Sequence, residues 1–216
     1  MIVYKGQKDV GQERKRRKGD NFMRVMPCMI LAITLAGTCY SQEPSGSDIK
    51  NRRENQQDRI ANGVAGGQLT AGETAKLETQ ESKLNKEIAK DRVANGGNLT
   101  NKQKAQVNSQ QNKLSRQIYN DKHNPAKQQY GNNEIDKRRE NQQDRIANGV
   151  ASGRLTAGET AKLETQEAKI NKEVRTDRQA NGGNLTNKQK AQVNKQLNRE
   201  SARIYNKKHN AATGPY

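Results

Sequence analysis

Two near-copies of one segment dominate this chain. Arg52–Asn124 and Arg138–Asn210 lie about 86 residues apart, and roughly three-quarters of their aligned positions are identical. Whatever folds, folds twice. Within each copy two short patterns recur at matched places. Leu69-Thr70-Ala71-Gly72-Glu73 and Leu155-Thr156-Ala157-Gly158-Glu159 form one pair; Leu99-Thr100-Asn101-Lys102-Gln103 and Leu185-Thr186-Asn187-Lys188-Gln189 form the other. A threonine followed three residues later by Glu or Gln is a capping box. The hydroxyl accepts from the backbone N–H of the third residue, whose side chain reaches back to the threonine N–H. Four such boxes predict four helix starts, at Thr70, Thr100, Thr156 and Thr186, with Glu73, Gln103, Glu159 and Gln189 in the reciprocal role.

The apolar residues fit this plan. Ile49, Ile60 and Val64 mark a first helix, matched by Ile135, Ile146 and Val150. Leu77, Leu84 and Ile88 mark a second, matched by Leu163, Ile170 and Val174. Their spacing puts them on one stripe of a helix. Glu81 and Glu167 occupy the turn where each stripe lacks an apolar residue. A third helix carries Val107, Leu114 and Ile118, or Val193, Leu197 and Ile204. Gly66-Gly67, Ser152-Gly153, Asn95-Gly96-Gly97 and Asn181-Gly182-Gly183 are the stops between helices, where glycine can take the left-handed conformation. The expected fold is all-α: two tandem three-helix repeats built on EF-hand-like helix–loop–helix turns. The expected boundaries are a leader at 1–41, a tether at 42–48, repeats at 49–124 and 135–210, a linker at 125–134 and a tail at 211–216.

Composition limits how well such units stand alone. The 216-residue chain is 30% hydrophobic and 3% aromatic, with no Trp, one Phe and a mean hydropathy of −1.23. Burial of apolar area is the main favourable term in folding. Sparse stripes of this kind predict thin cores and helices that must pack on one another to persist.

The leader differs from the rest. Arg14–Lys18 reads RKRRK, and Val25–Thr38 reads VMPCMILAITLAGT. A basic segment, a short apolar core and small residues after it describe a secretory signal peptide. The apolar run is short for a membrane span, which takes about 20 residues. Cleavage after Ser41 would leave Gln42 first. Met23 is an alternative start. Thr38 before Cys39 is a poor lipidation signal, so a lipid anchor is the less favoured fate. Cys28 and Cys39 both lie in the leader, so the remainder has no thiol for a disulfide, a nucleophile or a metal. The expected location is the periplasm or outside the cell.

The net charge is +17, with Lys and Arg interleaved with Asp and Glu. One reading is a solvated helical surface. The other is a polyanionic partner such as nucleic acid, anionic lipid or acidic polysaccharide. The shortage of aromatic residues argues against single-strand binding by base stacking.

The Gly-x-Leu-Thr-x-x-Glu pattern resembles the back half of an EF-hand loop. That resemblance makes Glu73 and Glu159 the last calcium ligands and looks for earlier ligands at Asn62, Asn148 and Ser152. The front half of each loop is poor in oxygen ligands, which favours a turn with no metal and no cofactor. The Leu-Thr-x-x-Gln segments resemble the motif of the Spy and CpxP group of periplasmic helical stress proteins. That resemblance implies a chaperone-like role toward unfolded proteins. The repeat as a whole, with NQQDRIANG, LTAGE and IYNDKHN, resembles tandem-repeat proteins exported by soil bacteria, a likeness that brings no activity with it. His123 and His209, beside Tyr119 and Tyr205, form at most a weak metal site. No Ser/His/Asp set, HExxH or phosphate-binding loop is present. The expectation is a non-enzymatic binding or structural protein with no membrane span after cleavage and no specific nucleic-acid target.

Overall fold

Helix caps divide the chain where the sequence says they should. The structure, a computed structural model, describes residues 45–212; the leader at 1–41 lies outside the described residues. Six helices follow in order: α1 Gly46–Ala65, α2 Ala71–Ala94, α3 Asn101–His123, α4 Glu134–Ala151, α5 Ala157–Ala180 and α6 Asn187–Lys208. The fold of the described residues is all-α. Both halves of the capping box are present at Thr70, Thr100, Thr156 and Thr186. Each typically contributes about 1 kcal/mol.

Two boundaries move. The tether expected over 42–48 gives way to helix at Gly46, because Ser45 and Asp48 form a fifth capping box. Asp48 Oδ2 accepts from the Ser45 N–H at 2.8 Å. The linker expected over 125–134 ends one residue early, because Asn133 caps α4 by accepting from the Asp136 N–H at 3.1 Å. At the stop after α1, Gly67 has φ 61°, a backbone conformation that a β-carbon disfavours. A glycine inside α1 has a different reason. A β-carbon on Gly63 would meet Leu69 Cδ1 at 2.7 Å, so its absence lets the leucine that precedes α2 lie flat on α1.

Equivalent helices of the two copies pack on each other, α1 on α4 and α2 on α5, while α3 and α6 each lie against the first two helices of their own copy. The exchange is reciprocal. Ala147 of copy two joins the cluster of Ile60, Val64, Leu69, Leu77, Leu114 and Ile118. Ala61, its counterpart, joins Ile146, Val150, Leu155, Leu163 and Ile204. Such an arrangement, where the same patch serves both partners, marks a two-fold relation. Two outer clusters complete the core, one around Ile49 and Val107, the other around Ile135 and Val193. Sparse single-copy stripes are thus supplemented by the neighbouring copy, and Ser45–Ala212 belong to one compact unit. Among the described residues no helix is long and apolar enough to cross a membrane.

The α2–α5 contact is the most extensive between elements. Gly158, near the start of α5, faces Ser82 midway along α2; a β-carbon there would sit 3.0 Å from Ser82 Oγ. Gly72, near the start of α2, shares a groove with Ala168 midway along α5. The two helices therefore run antiparallel, and small residues at the crossing let them approach closely.

Candidate functional site

The side chains suggested as calcium ligands are placed as follows. Glu73 Oε2 accepts from the Thr70 N–H at 2.9 Å and the Thr70 hydroxyl at 2.7 Å, and Oε1 accepts from Asn124 Nδ2 at 2.6 Å. Glu159 repeats this with Thr156 and Asn210, and Lys207 Nζ stands 3.4 Å from its Oε1. Burial alone would raise both carboxyls; the bonds from threonine and asparagine outweigh it and hold them below the ordinary glutamate range. Asn62 and Asn148 sit in the last turns of α1 and α4, where their carbonyls accept from the Gly66 and Ser152 N–H groups. The Ser152 hydroxyl donates to the Asn148 carbonyl at 2.6 Å. In the first loop the Gly67 carbonyl accepts from the linker's Gln128 N–H at 3.0 Å. Among the described residues no three His, Cys, Asp or Glu side chains converge to hold a metal ion. His123 and His209 stack on Tyr119 and Tyr205 of their own helices, with ring centroids 4.1 Å apart.

What the sequence reading missed lies between α2 and α5. Glu78, Glu81, Glu164 and Glu167 are all 0% exposed. Glu81 and Glu167, which fill gaps in the apolar stripes, face inward within their own copies. Glu78 accepts from Gln57 at 3.1 Å, and Glu164 from Gln143 at 3.0 Å. Arg53 faces Glu81 and Arg139 faces Glu167. Glu200 of α6 is also buried and accepts from Arg203 at 3.1 Å. Removal from water dominates the titration of all five. It pushes the Glu78 and Glu164 carboxyls up to about 8 and Glu81 to about 7, and it raises Glu167 and Glu200. Repulsion from Glu81 adds to Glu78, and repulsion from Glu78 and Glu200 adds to Glu164.

The opposite face of the same two helices is basic. Lys76 is two positions from Glu78, about 200° around the helix, so when one points in the other points out. Lys83 and Lys90 follow Lys76 at seven-residue spacing on that outer face. Two adjoining grooves, of about 790 and 570 Å³, share Gly72, Ala168 and Lys172 and run along the crossing. Exposed Lys76, Lys83, Lys127, Lys169, Lys172 and Arg175 stand on their walls. None of the residues lining either groove is a carboxylate. Arg139 and Arg178 also line the larger groove, but both are tied to the buried Asp136, each at 2.9 Å.

The helices therefore sort an interleaved sequence by sign. On α2 and α5, Glu78, Glu81, Glu164 and Glu167 go inside, and Lys76, Lys83, Lys169 and Lys172 go outside. The signal was present as a two-residue offset between Lys76 and Glu78, but it acquires meaning only once the buried face is known. Comparison with protein-family models, with curated protein sequences and with solved structures gave no match.

Proposed function

We propose that this chain is an exported, non-enzymatic helical binding protein whose ligand is an anionic polymer, held along the α2–α5 groove. The observation that supports this is the groove itself: six exposed cations on its walls and no carboxylate among the residues that line it. A surface of that kind attracts a polyanion from a distance and releases counterions on contact. The chemistry of recognition is charge. Tyr119, Tyr205 and Val93 are the exposed large apolar side chains of the described residues, and none of them lines the groove. Stacking on bases or insertion into lipid has no platform there, whereas an acidic polysaccharide or duplex backbone needs only regularly spaced cations. Export rests on the basic run and apolar core of the leader.

The test is binding of the purified protein to a labelled sulfated polysaccharide over a salt series. Affinity should fall at least tenfold between about 50 and about 200 mM salt, linearly on logarithmic axes. Replacing Lys76, Lys83, Lys169 and Lys172 together by Gln should reduce the salt slope by about three. The same change at the exposed Lys102, Lys113, Lys188 and Lys195 should alter it much less. Equal losses from the two sets would remove the groove from the account.

A further inference from the structure

We propose that the α2–α5 junction is a proton-locked joint, in which protons on the buried glutamates hold the two repeats together and their loss as pH rises loosens the contact. Hydrogen-bond donors are in short supply at this junction. Glu78 Oε1, both oxygens of Glu81, Glu164 Oε1, both oxygens of Glu167 and Glu200 Oε1 are buried and accept no hydrogen bond. The amide oxygens of the nearby Gln56, Gln142 and Gln143 are in the same condition. These ten atoms are all acceptors, and the buried Tyr130 hydroxyl near Glu164 and Glu167, which could donate, makes no bond to them. A buried acceptor without a donor is costly, and an ionised carboxylate in that condition more so. A protonated carboxyl converts one acceptor into a donor and removes the charge.

Charge supply leads the same way. The charged and titratable groups that face the cluster come from α1, α4, α6 and the linker. Arg53 comes from α1, Arg139 from α4, Arg203 from α6 and Tyr130 from the linker. Arg53 is itself repelled by Arg92, and Arg139 by Arg178; Arg139 is also committed to Asp136. Three guanidinium groups, one of them shared, face five glutamates. Glu164 senses Glu78 across the junction, and no cation is among the groups that act on either of them. Removal from water raises these carboxyls, to about 8 for Glu78 and Glu164. An acid that binds its proton more tightly folded than unfolded contributes stability that is complete below its unfolded value, near 4.5 here. That contribution is lost as pH rises toward the folded value. The window is therefore about pH 4.5 to 8.

Thermal unfolding of the full chain, followed by far-UV circular dichroism from about pH 5 to about pH 9, should show a midpoint that falls as pH rises. The folding constant should drop at least about tenfold per pH unit near neutrality. In the variant carrying both Glu78→Gln and Glu164→Gln the midpoint should vary less with pH and exceed the wild type at the alkaline end. The exposed Glu140→Gln should keep the wild-type slope. A wild-type midpoint that is constant or rises across this range overturns the proposal, as does an unchanged slope in the double variant. Should that variant fail to fold, calorimetry of the wild type near pH 6.5 in buffers of different ionisation enthalpy decides. Net release of at least about one proton on unfolding supports the joint, and less release, none, or uptake overturns it. Amide exchange, corrected for its intrinsic pH dependence, should accelerate with pH more in α2 and α5 than in α3 and α6. Equal acceleration everywhere would assign the effect to the whole fold and sink the joint.

Discussion

The two copies follow one backbone plan and place different chemistry at its centre. Copy one puts Leu114 into the core with Ile60 and Leu77, and a turn earlier Gln111 donates to the Ile49 carbonyl at 3.0 Å. Copy two reverses the pair. Leu197 takes the earlier position, and Glu200, 1% exposed, takes the later one. At the start of the first helix, copy one has an exposed lysine, Lys50, 3.5 Å from Glu54. Copy two has the buried Asp136, which joins Arg139, Arg178 and the cap Asn133, with the Tyr130 ring 5.0 Å from the Arg139 guanidinium. Helix positions are thus set by caps and a few apolar residues that both copies keep. Interior polarity varies around them, and copy two carries more buried charge.

Exchanging centres should expose that difference. Leu114→Glu gives copy one a buried carboxylate without a guanidinium in the place of Arg203, since Gln117 stands there. The expected loss in urea-monitored stability near neutral pH is about 3–5 kcal/mol. Asp136→Ala leaves two guanidinium groups without their buried partner and should cost a similar amount, about 3 kcal/mol. Lys50→Ala, at the matching site of copy one, should leave the midpoint unchanged. The reverse exchange, Glu200→Leu, should stabilise by about 1–2 kcal/mol at mildly alkaline pH and by less as pH falls, because burial raises the native carboxyl.

Acid pH sharpens the comparison from the other side. Burial would raise the Asp136 carboxyl, but the bond and charge of Arg178, with Arg139 and Asn133, outweigh it and hold it low. Its contribution is complete above the ordinary aspartate value and is lost as pH falls through the lowered one. Stability should therefore crest near about pH 5, with an acid limb that shrinks in Asp136→Asn and an alkaline limb that remains. Smallest and most nearly equal should be the caps. Thr100→Ala and Thr186→Ala should each cost about 1 kcal/mol in thermal melts, because both copies build the same box.

The helices were legible because their signals are local. A threonine and a glutamate three residues on carry their own geometry, and the stripes of Leu77, Leu84 and Ile88 need only helical periodicity. Ser45–Asp48 was equally local and was passed over because Pro, Gly and Ser nearby suggested a tether. The interior glutamates were not legible from one helix. Glu81 occupies a gap in an apolar stripe, and on an isolated helix that gap faces water. Here it faces Arg53 of α1. The exchange of Gln111 and Leu114 for Leu197 and Glu200 was visible by alignment, but its consequence depends on which face of α6 packs inward. The basic groove was hidden for a related reason: composition shows interleaved charges, whereas a helix that buries one face separates them.

The most direct test of this sorting is a carbon-detected NMR titration of the glutamate side-chain carboxyls. Glu78 and Glu164 should keep their protons up to about pH 8 and Glu81 up to about 7, with Glu167 and Glu200 also titrating above the ordinary glutamate range. If the five titrate in the ordinary carboxylate range, they are solvated, and both the inward placement of acids and the two-sided character of α2 and α5 are wrong.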